Sequence, residues 1–294
     1  MEITYNVGFK SNGKVTALQL DILINAGISL DISPLMPKNI LSGLKKYDWG
    51  ALSFDIKVCK TNHSSKTAMR GPGEVQGSYI AETVIEHVAS TLSMDVDSVR
   101  NINFHRYDSL KLFYDVASGD SVEYTLTSIW NKLAESSSFK QRVEIIKEFN
   151  RCKVWKKRGI SRVPIVHQVF VRPTPGKVSI LSDGSVVVEV GGIELGQGLW
   201  TKVKQMAAFA LSSIKCDGVE NLLDKVRVIQ ADTLSLTQGG MTAGSTTSES
   251  SCESVRLCCA VLVERLGPLK ETLQGQMGSV TWDALICKVL VYIS

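Results

Sequence analysis

The chain has 294 residues, 44% of them apolar and 21% charged, with a net charge of +4. That length suits about two domains, and the composition is that of an ordinary soluble globular protein with material for a sizeable core. No apolar run approaches the roughly 18 residues a membrane span needs, and the N-terminus lacks the apolar stretch of a signal peptide, so the expected setting is the cytoplasm.

In chain order, residues 3–26 read as a β-hairpin. Ile3 to Phe9 is strand-like, Asn12-Gly13 signals a type I′ turn, and Leu18, Leu20, Ile22 and Ile24 alternate on the return strand. Val75, Tyr79, Val84, Ile85, Val88 and Leu92 fall near helical spacing after Arg70-Gly71-Pro72-Gly73. Residues 107–121 are poor in periodicity, which places a domain junction there or in the short helix that follows. Ser138 to Phe149 reads as a charged amphipathic helix. The basic run Lys153 to Arg158 is short and reads as a solvated linker rather than a nucleic-acid contact.

A second hairpin is expected from Lys177 to Val190, turning at Asp183-Gly184. Its Val186-Val187-Val188 stretch is apolar on both faces, as in a strand covered on both sides. A helix follows on Leu199, Val203, Met206, Ala207, Ala210, Leu211 and Ile214. Another follows on Val255, Cys258, Cys259, Leu262 and Leu266, with Gly267-Pro268 as its expected stop. The two hairpin-then-helix halves share a layout without an evident sequence repeat.

The seven cysteines form no C-x-x-C pair and no zinc or iron–sulfur spacing, which suits reduced and mostly buried thiols. The four histidines are scattered, so no triad can be assembled, and His87, close to an apolar stripe, reads as a packing residue.

Three polar segments open helices: Arg70-Gly71-Pro72-Gly73, Gly191 to Trp200, and Met241 to Glu249. Glycines let backbone amides approach a ligand, and helix N-termini favour anions, so the three suggest one large anionic ligand. Each also has a plainer reading. Gly196-Gln197-Gly198 is equally a tight strand-to-helix turn, with free amides at the helix start. Thr246 and Glu249 have capping-box spacing, although that leaves the other small residues from Thr242 to Ser248 unexplained. Arg70 suits a phosphate or carboxylate and equally a surface turn. No Gly-Lys-Ser/Thr follows the glycines, so none is a P-loop.

These segments resemble the molybdenum hydroxylases, and among them the plant aldehyde oxidases and xanthine dehydrogenases. The resemblance runs from residue 1 to about 286. It is carried by Val7 to Val15, Cys59-Lys60-Thr61-Asn62 leading to Ala68-Met69-Arg70-Gly71-Pro72-Gly73, Arg158 to Pro164, Gly192 to Val203, and Met241 to Glu249. It implies an α+β fold of two lobes, each a mixed β-sheet flanked by helices, with a cofactor cleft between them. Residues 1–115 would be the C-terminal part of a first molybdopterin-binding domain, 116–152 a helical connector, and 153–294 the N-terminal part of a second.

The cofactor implied is molybdenum–molybdopterin. Gln197 would contact the pterin, and Thr242, Ala243, Gly244, Ser245 and Thr247 would line it and its phosphate. Arg70 would contribute near the metal through its backbone. The family oxidises aldehydes to carboxylic acids with oxygen from water and a carboxylate base, and passes electrons through iron–sulfur clusters and FAD to dioxygen. Abscisic aldehyde and indole-3-acetaldehyde are the substrates the resemblance suggests. Lys38, Pro72 and Arg162 would line the substrate pocket, where they replace residues typical of xanthine dehydrogenases.

The departures matter as much. The FAD and 2Fe–2S regions belong to full-length relatives and not to this sequence. The Gly-Glu-Pro motif that carries the family's catalytic glutamate does not occur, so no catalytic residue is assigned and no side chain is assigned to a metal. Residues 287–294 leave the pattern, which reads as a truncated gene model or splice product. The expectation is therefore a fragment inactive by itself. The alternative is a truncated, non-catalytic polypeptide that is unstable or that pairs with full-length subunits; the partners expected are a small-molecule aldehyde and either a second copy, as a homodimer, or a full-length subunit.

Overall fold

The structure is a computed structural model that describes residues 1–29, 31–66, 68–113, 124–167, 169, 171–230, 232, 234 and 242–293. The chain forms two compact units, Met1–Gln168 and Val169–Ser294. Much of the expected junction at 107–121 falls outside the described residues; of it, Tyr107–Phe113 is helical.

In the first unit, β1 (Glu2–Phe9) and β2 (Val15–Gly27) pair antiparallel, and β3 (Ala51–Lys60) lies parallel to β2. A parallel neighbour needs a crossover connection, here containing α1 (Met36–Leu44). Helices α2 (Glu74–Leu92), α3 (Val96–Asn103), α4 (Tyr107–Phe113), α5 (Leu126–Ser136) and α6 (Phe139–Cys152) follow. Leu18, Leu20, Ile22 and Ile24 are buried, as alternation requires of a strand with one covered face.

The second unit repeats the plan. The antiparallel pair β4 (Gly176–Ile180) and β5 (Val186–Val190) leads into α7 (Leu199–Ser212). A short α8 (Leu222–Lys225) precedes β6 (Val226–Gln230), parallel to β5. Helices α9 (Thr247–Met277) and α10 (Trp282–Ile293) complete it. In β5, Val186, Val188 and Val190 are buried while Val187 is only half-buried, so one face is fully covered and the other partly.

The two hairpin turns are built alike. Lys10 N donates to Lys14 O and Gly13 N to Lys10 O, while Leu181 N donates to Ser185 O and Gly184 N to Leu181 O. Asn12 Oδ1 accepts from Lys14 N, and Asp183 Oδ1 from Ser185 N. Ser-Asn-Gly and Ser-Asp-Gly thus give the two turns the same hydrogen-bond pattern, as their shared turn chemistry requires. The first turn is not type I′. That type needs positive φ at both central residues, and only Gly13 (+88°) has it, in a five-residue connection.

Three helical expectations need correction. In α2, Val84, Ile85 and Val88 are buried, but Val75 and Tyr79 are exposed. The inward face at the start of α2 is instead Gly77 and Ser78, because α1 crosses there at backbone contact. A Cβ on Gly77 would stand 2.2 Å from Ile40 O, and one on Gly43 2.8 Å from Glu74 O. His87 is likewise on the exposed face, where its Nδ1 meets the Tyr5 hydroxyl and the two rings stack. Helix α9 runs through Pro268 and ends at Gly278 (φ +78°). A mid-helix proline costs about 3 kcal/mol, which core packing of Leu266 and Leu273 on either side offsets.

All seven thiols are free. Cys216 and Cys259 are buried, Cys152 and Cys287 are exposed, and Cys59, Cys252 and Cys258 are intermediate, so the expectation of mostly buried thiols is too strong.

Candidate functional site

In the second unit, β5 hands the chain to α7 through Gly191–Gly198. Gly196 (φ +94°) and Gly198 (φ +75°) adopt a conformation that L side chains rarely take. The amides of this turn are not free, as the sequence suggested. Glu194 Oε1 accepts from Gly196 N at 2.8 Å and Gly198 N at 2.9 Å, and its Oε2 accepts from Trp200 N at 3.2 Å. Desolvation pushes this carboxyl up, but the backbone donors outweigh it and hold it below the ordinary glutamate value. The Gln197 amide braces the same turn, accepting from Leu195 N and donating to Ile193 O.

The second turn, Thr242–Thr246, feeds α9. Met241 lies outside the described residues. Gly244 (φ +75°) and Ser245 (φ +57°) both take positive φ. Thr246 sits at the N-cap but does not cap the helix through its side chain, contrary to the capping-box spacing. Its hydroxyl accepts instead from Arg172 Nη2, at 3.4 Å. Arg172 also donates from Nη2 to Ala243 O at 2.9 Å and from its amide to Ser250 Oγ at 3.0 Å. Lys202 Nζ, on α7, donates to Ser248 Oγ at 3.2 Å. Two cations therefore stand where α9 presents its positive end, with Glu249 as the acidic residue of its first turn.

The two turns meet. Thr242 Oγ1 accepts from Ile193 N at 3.1 Å. A Cβ on Gly192 would come within 2.7 Å of Thr247 Cγ2 and 3.3 Å of Ser251 Oγ, so glycine is what lets the first turn lie against α9. Ser251 Oγ is buried there without a hydrogen-bond partner among the described residues.

In the first unit, the segment before α2 packs on α1. Asn39 Nδ2 donates to Pro72 O at 2.7 Å, and a Cβ on Gly73 (φ +90°) would collide with Asn39 Cβ at 2.4 Å. Pro72, which is buried, thus sits against Asn39, the sequence neighbour of Lys38; Lys38 and Arg70 are exposed. Glu74 follows at the start of α2. Its Oε2 is buried and unpartnered among the described residues, and its Oε1 lies 3.9 Å from His167 Nδ1.

Arg162 has other partners. It pairs with Asp97 at 2.8 Å, donates to Trp130 O, and stacks over the Trp130 ring at 3.8 Å. Through Asp97 it joins a buried network in which Arg100 and Lys46 both contact Glu82, at 2.8 and 3.0 Å. Burial pushes the Lys46 ammonium down in pKa while Glu82 pulls it back up.

Against this geometry the comparisons are direct. Residues 132–288 match one family described as a molybdopterin cofactor-binding domain, and residues 1–104 match a second of the same description. The chain belongs to the molybdopterin cofactor-binding domain family.

Within that family it is similar to plant aldehyde oxidases. It is 68% identical over 287 residues to abscisic-aldehyde oxidase of Arabidopsis thaliana, covering 97% of this chain and 22% of that protein. It is 62% identical over 288 residues to an indole-3-acetaldehyde oxidase of Zea mays, covering 98% of this chain and 21% of that protein. The chain thus spans about a fifth of these relatives. Among solved structures, the aldehyde oxidoreductase of Desulfovibrio desulfuricans superposes with a TM-score of 0.69 at 18% identity, covering 97% of this chain and 30% of that one. Quinoline 2-oxidoreductase of Pseudomonas putida gives 0.65 at 16%, covering 96% and 39%. At such identities these two likenesses speak for the fold, the two-sheet α+β architecture of the large molybdenum hydroxylase domain.

A molybdopterin cofactor-binding domain must hold a phosphate-bearing, hydrogen-bonding ring system, and the second unit's donors suit one. Arg172, Lys202 and the N-terminus of α9 supply positive potential, and Thr242, Ser248 and the orphaned Ser251 supply hydroxyls. Sequence reasoning missed Arg172 and Lys202, whose contacts span 71 and 46 residues of chain and leave no local pattern. It also left Glu194 without a task. An acidic residue just ahead of a helix start was the available signal. Among the described residues, no helix is long and apolar enough to cross a membrane, and no group of three or more His, Cys, Asp or Glu side chains is placed to hold a metal ion.

Proposed function

We propose that the chain supplies cofactor-holding surface for a molybdopterin-dependent aldehyde oxidase. The supporting observation is the junction of the two turns through Ile193 N and Thr242 Oγ1. Around it, Thr242, Ala243, Gly244, Ser245 and Thr247 form one wall of the proposed site and Gln197 the other. When bound, the cofactor supplies the redox chemistry that converts an aldehyde to a carboxylic acid. The chain's residues bind and orient it: Arg172 fixes the 242–246 turn through Ala243 O, and Lys202 sets Ser248.

In the first unit the proposal assigns Arg70 to the cofactor through its backbone, and Lys38 and Pro72 to the aldehyde pocket. Arg162, held by Asp97 and Trp130, would shape that pocket by fixing the segment that leads to Pro164, whose carbonyl accepts from Lys46 Nζ at 2.8 Å. Hormone aldehydes such as abscisic aldehyde and indole-3-acetaldehyde are the proposed substrates of the complete enzyme. The division into residues 1–115, 116–152 and 153–294 remains the proposed domain plan, with the alternative roles of homodimer or partner of a full-length subunit. The Gly-Glu-Pro motif that carries the catalytic glutamate of the molybdenum hydroxylases does not occur in the sequence, and on that ground the chain alone is proposed to be inactive. Expression in a host that makes the cofactor, followed by elemental analysis, tests the reading. Molybdenum retained by the purified chain supports it; its absence overturns it.

A further inference from the structure

The Gly196–Gly198 turn is not shaped by crowding. Nothing lies within 4 Å of where a Cβ would stand on either glycine. Ordering such a stretch costs backbone entropy, so something local must hold it. Gln197 ties Leu195 N and Ile193 O together within it, and Glu194 holds its exit into α7, its two oxygens taking the amides of Gly196, Gly198 and Trp200. Those last two amides lie at the open N-terminal end of α7, where an incoming anion would otherwise bind.

We propose that Glu194 is a positioning residue, the built-in anion of this turn. It fixes the loop in its ligand-ready conformation and presents Gln197 before the cofactor arrives. It also closes the N-terminus of α7 to phosphate or carboxylate, so the anionic end of a ligand must be met elsewhere, and α9 with Arg172 and Lys202 is the place the chain offers. This inference rests on the functional reading above and deepens it.

The test compares the full chain with Glu194→Gln, Glu194→Asp and, as a control on an exposed helical site, Glu264→Gln. Two quantities are read: amide hydrogen exchange in the peptide spanning 195–203, and molybdopterin content after expression in a host that makes it. Glu194→Gln is expected to speed exchange in that peptide tenfold or more, to leave peptides of β5 and α9 unchanged, and to lower cofactor content at least fivefold. Glu194→Asp, which keeps the charge, is expected to restore part of both. Protection in the unsubstituted chain should also fade as pH drops below the glutamate range and show no such dependence in Glu194→Gln.

Exchange no faster than in the control overturns the clamp. So does a Glu194→Asp variant no better than Glu194→Gln. Faster exchange with cofactor content intact overturns the positioning role. An unsubstituted chain without molybdopterin sinks the functional reading, and the positioning role with it, yet still shows the exchange difference at Gly196 and Gly198, so the two failures are told apart.

Discussion

Ile193 N and Thr242 Oγ1, 49 residues apart in sequence, share a hydrogen bond of 3.1 Å that ties the turn after β5 to the turn before α9. A net hydrogen bond of this kind is worth about 0.5–1.5 kcal/mol. Thr242→Ala should lower the stability of the second unit by that order, while Thr242→Ser, which keeps the acceptor, should cost less. Equilibrium unfolding of the three chains checks it, and equal losses for Ala and Ser would contradict the bond.

Glycines set two close approaches. Gly192→Ala forces Thr247 and Leu199 aside, since its Cβ would stand 2.7 and 3.0 Å from them. Gly77→Ala meets rigid backbone at Ile40 O, 2.2 Å away. Overpacking typically costs about 1–3 kcal/mol. Gly77→Ala should be the worse of the pair, because a carbonyl in α1 yields less than a side chain. Denaturant midpoints rank them; a milder Gly77→Ala would contradict the α1–α2 contact.

Glu82 is the shared partner of two buried cations. Its carboxylate meets Lys46 at 3.0 Å and Arg100 at 2.8 Å and accepts from the Tyr47 hydroxyl at 2.8 Å. Removing one partner of a buried pair leaves uncompensated charge and costs about 3–5 kcal/mol. Glu82→Gln should therefore bring the first unit close to unfolding, and joint replacement with Lys46→Met should recover part of the loss. A double-mutant cycle reads the coupling, and strict additivity would refute it.

His105 gives the first unit a pH dependence. Burial lowers its pKa below the ordinary histidine value, Asp48 opposes that and Lys14 adds to it. Its Nδ1 contacts Ser109 Oγ at 2.8 Å. A histidine depressed in the folded state binds its proton more readily when unfolded. Its contribution is thus fully present above the unfolded value of 6.5 and fades as pH falls toward the folded one. Unfolding free energy measured across that window should fall with acid, and the slope should flatten in His105→Gln. An unchanged slope would remove His105 from the account.

The legible parts of the sequence were those with a local period. The return strands showed through alternation of Leu18, Leu20, Ile22 and Ile24, and the Asn-Gly and Asp-Gly turns through their chemistry. The parallel third strands were passed over. β3 carries the same alternation, at Leu52, Phe54, Ile56 and Val58, but that face is only partly covered, with Leu52 and Ile56 against the core and Phe54 and Val58 exposed, and β6 is only five residues long. At the start of α2 the inward face is glycine and serine, which a search for large apolar residues passes over in favour of Val75 and Tyr79. Pro268 misled because a local stop signal lost to tertiary packing. The segments proposed to hold the cofactor were visible as glycine-rich turns, but their electrostatics were not. Arg172 and Lys202 reach them from distant stretches, and Glu194 occupies amides that the sequence alone left open.

The most direct test of the account is the pterin content of the purified chain after expression in a cofactor-producing host, read as fluorescence of the oxidised pterin. The purified chain is expected to carry pterin, and Gln197→Ala and Thr242→Ala are each expected to carry several-fold less while remaining folded. A folded chain without pterin, or full pterin content in both variants, would contradict it.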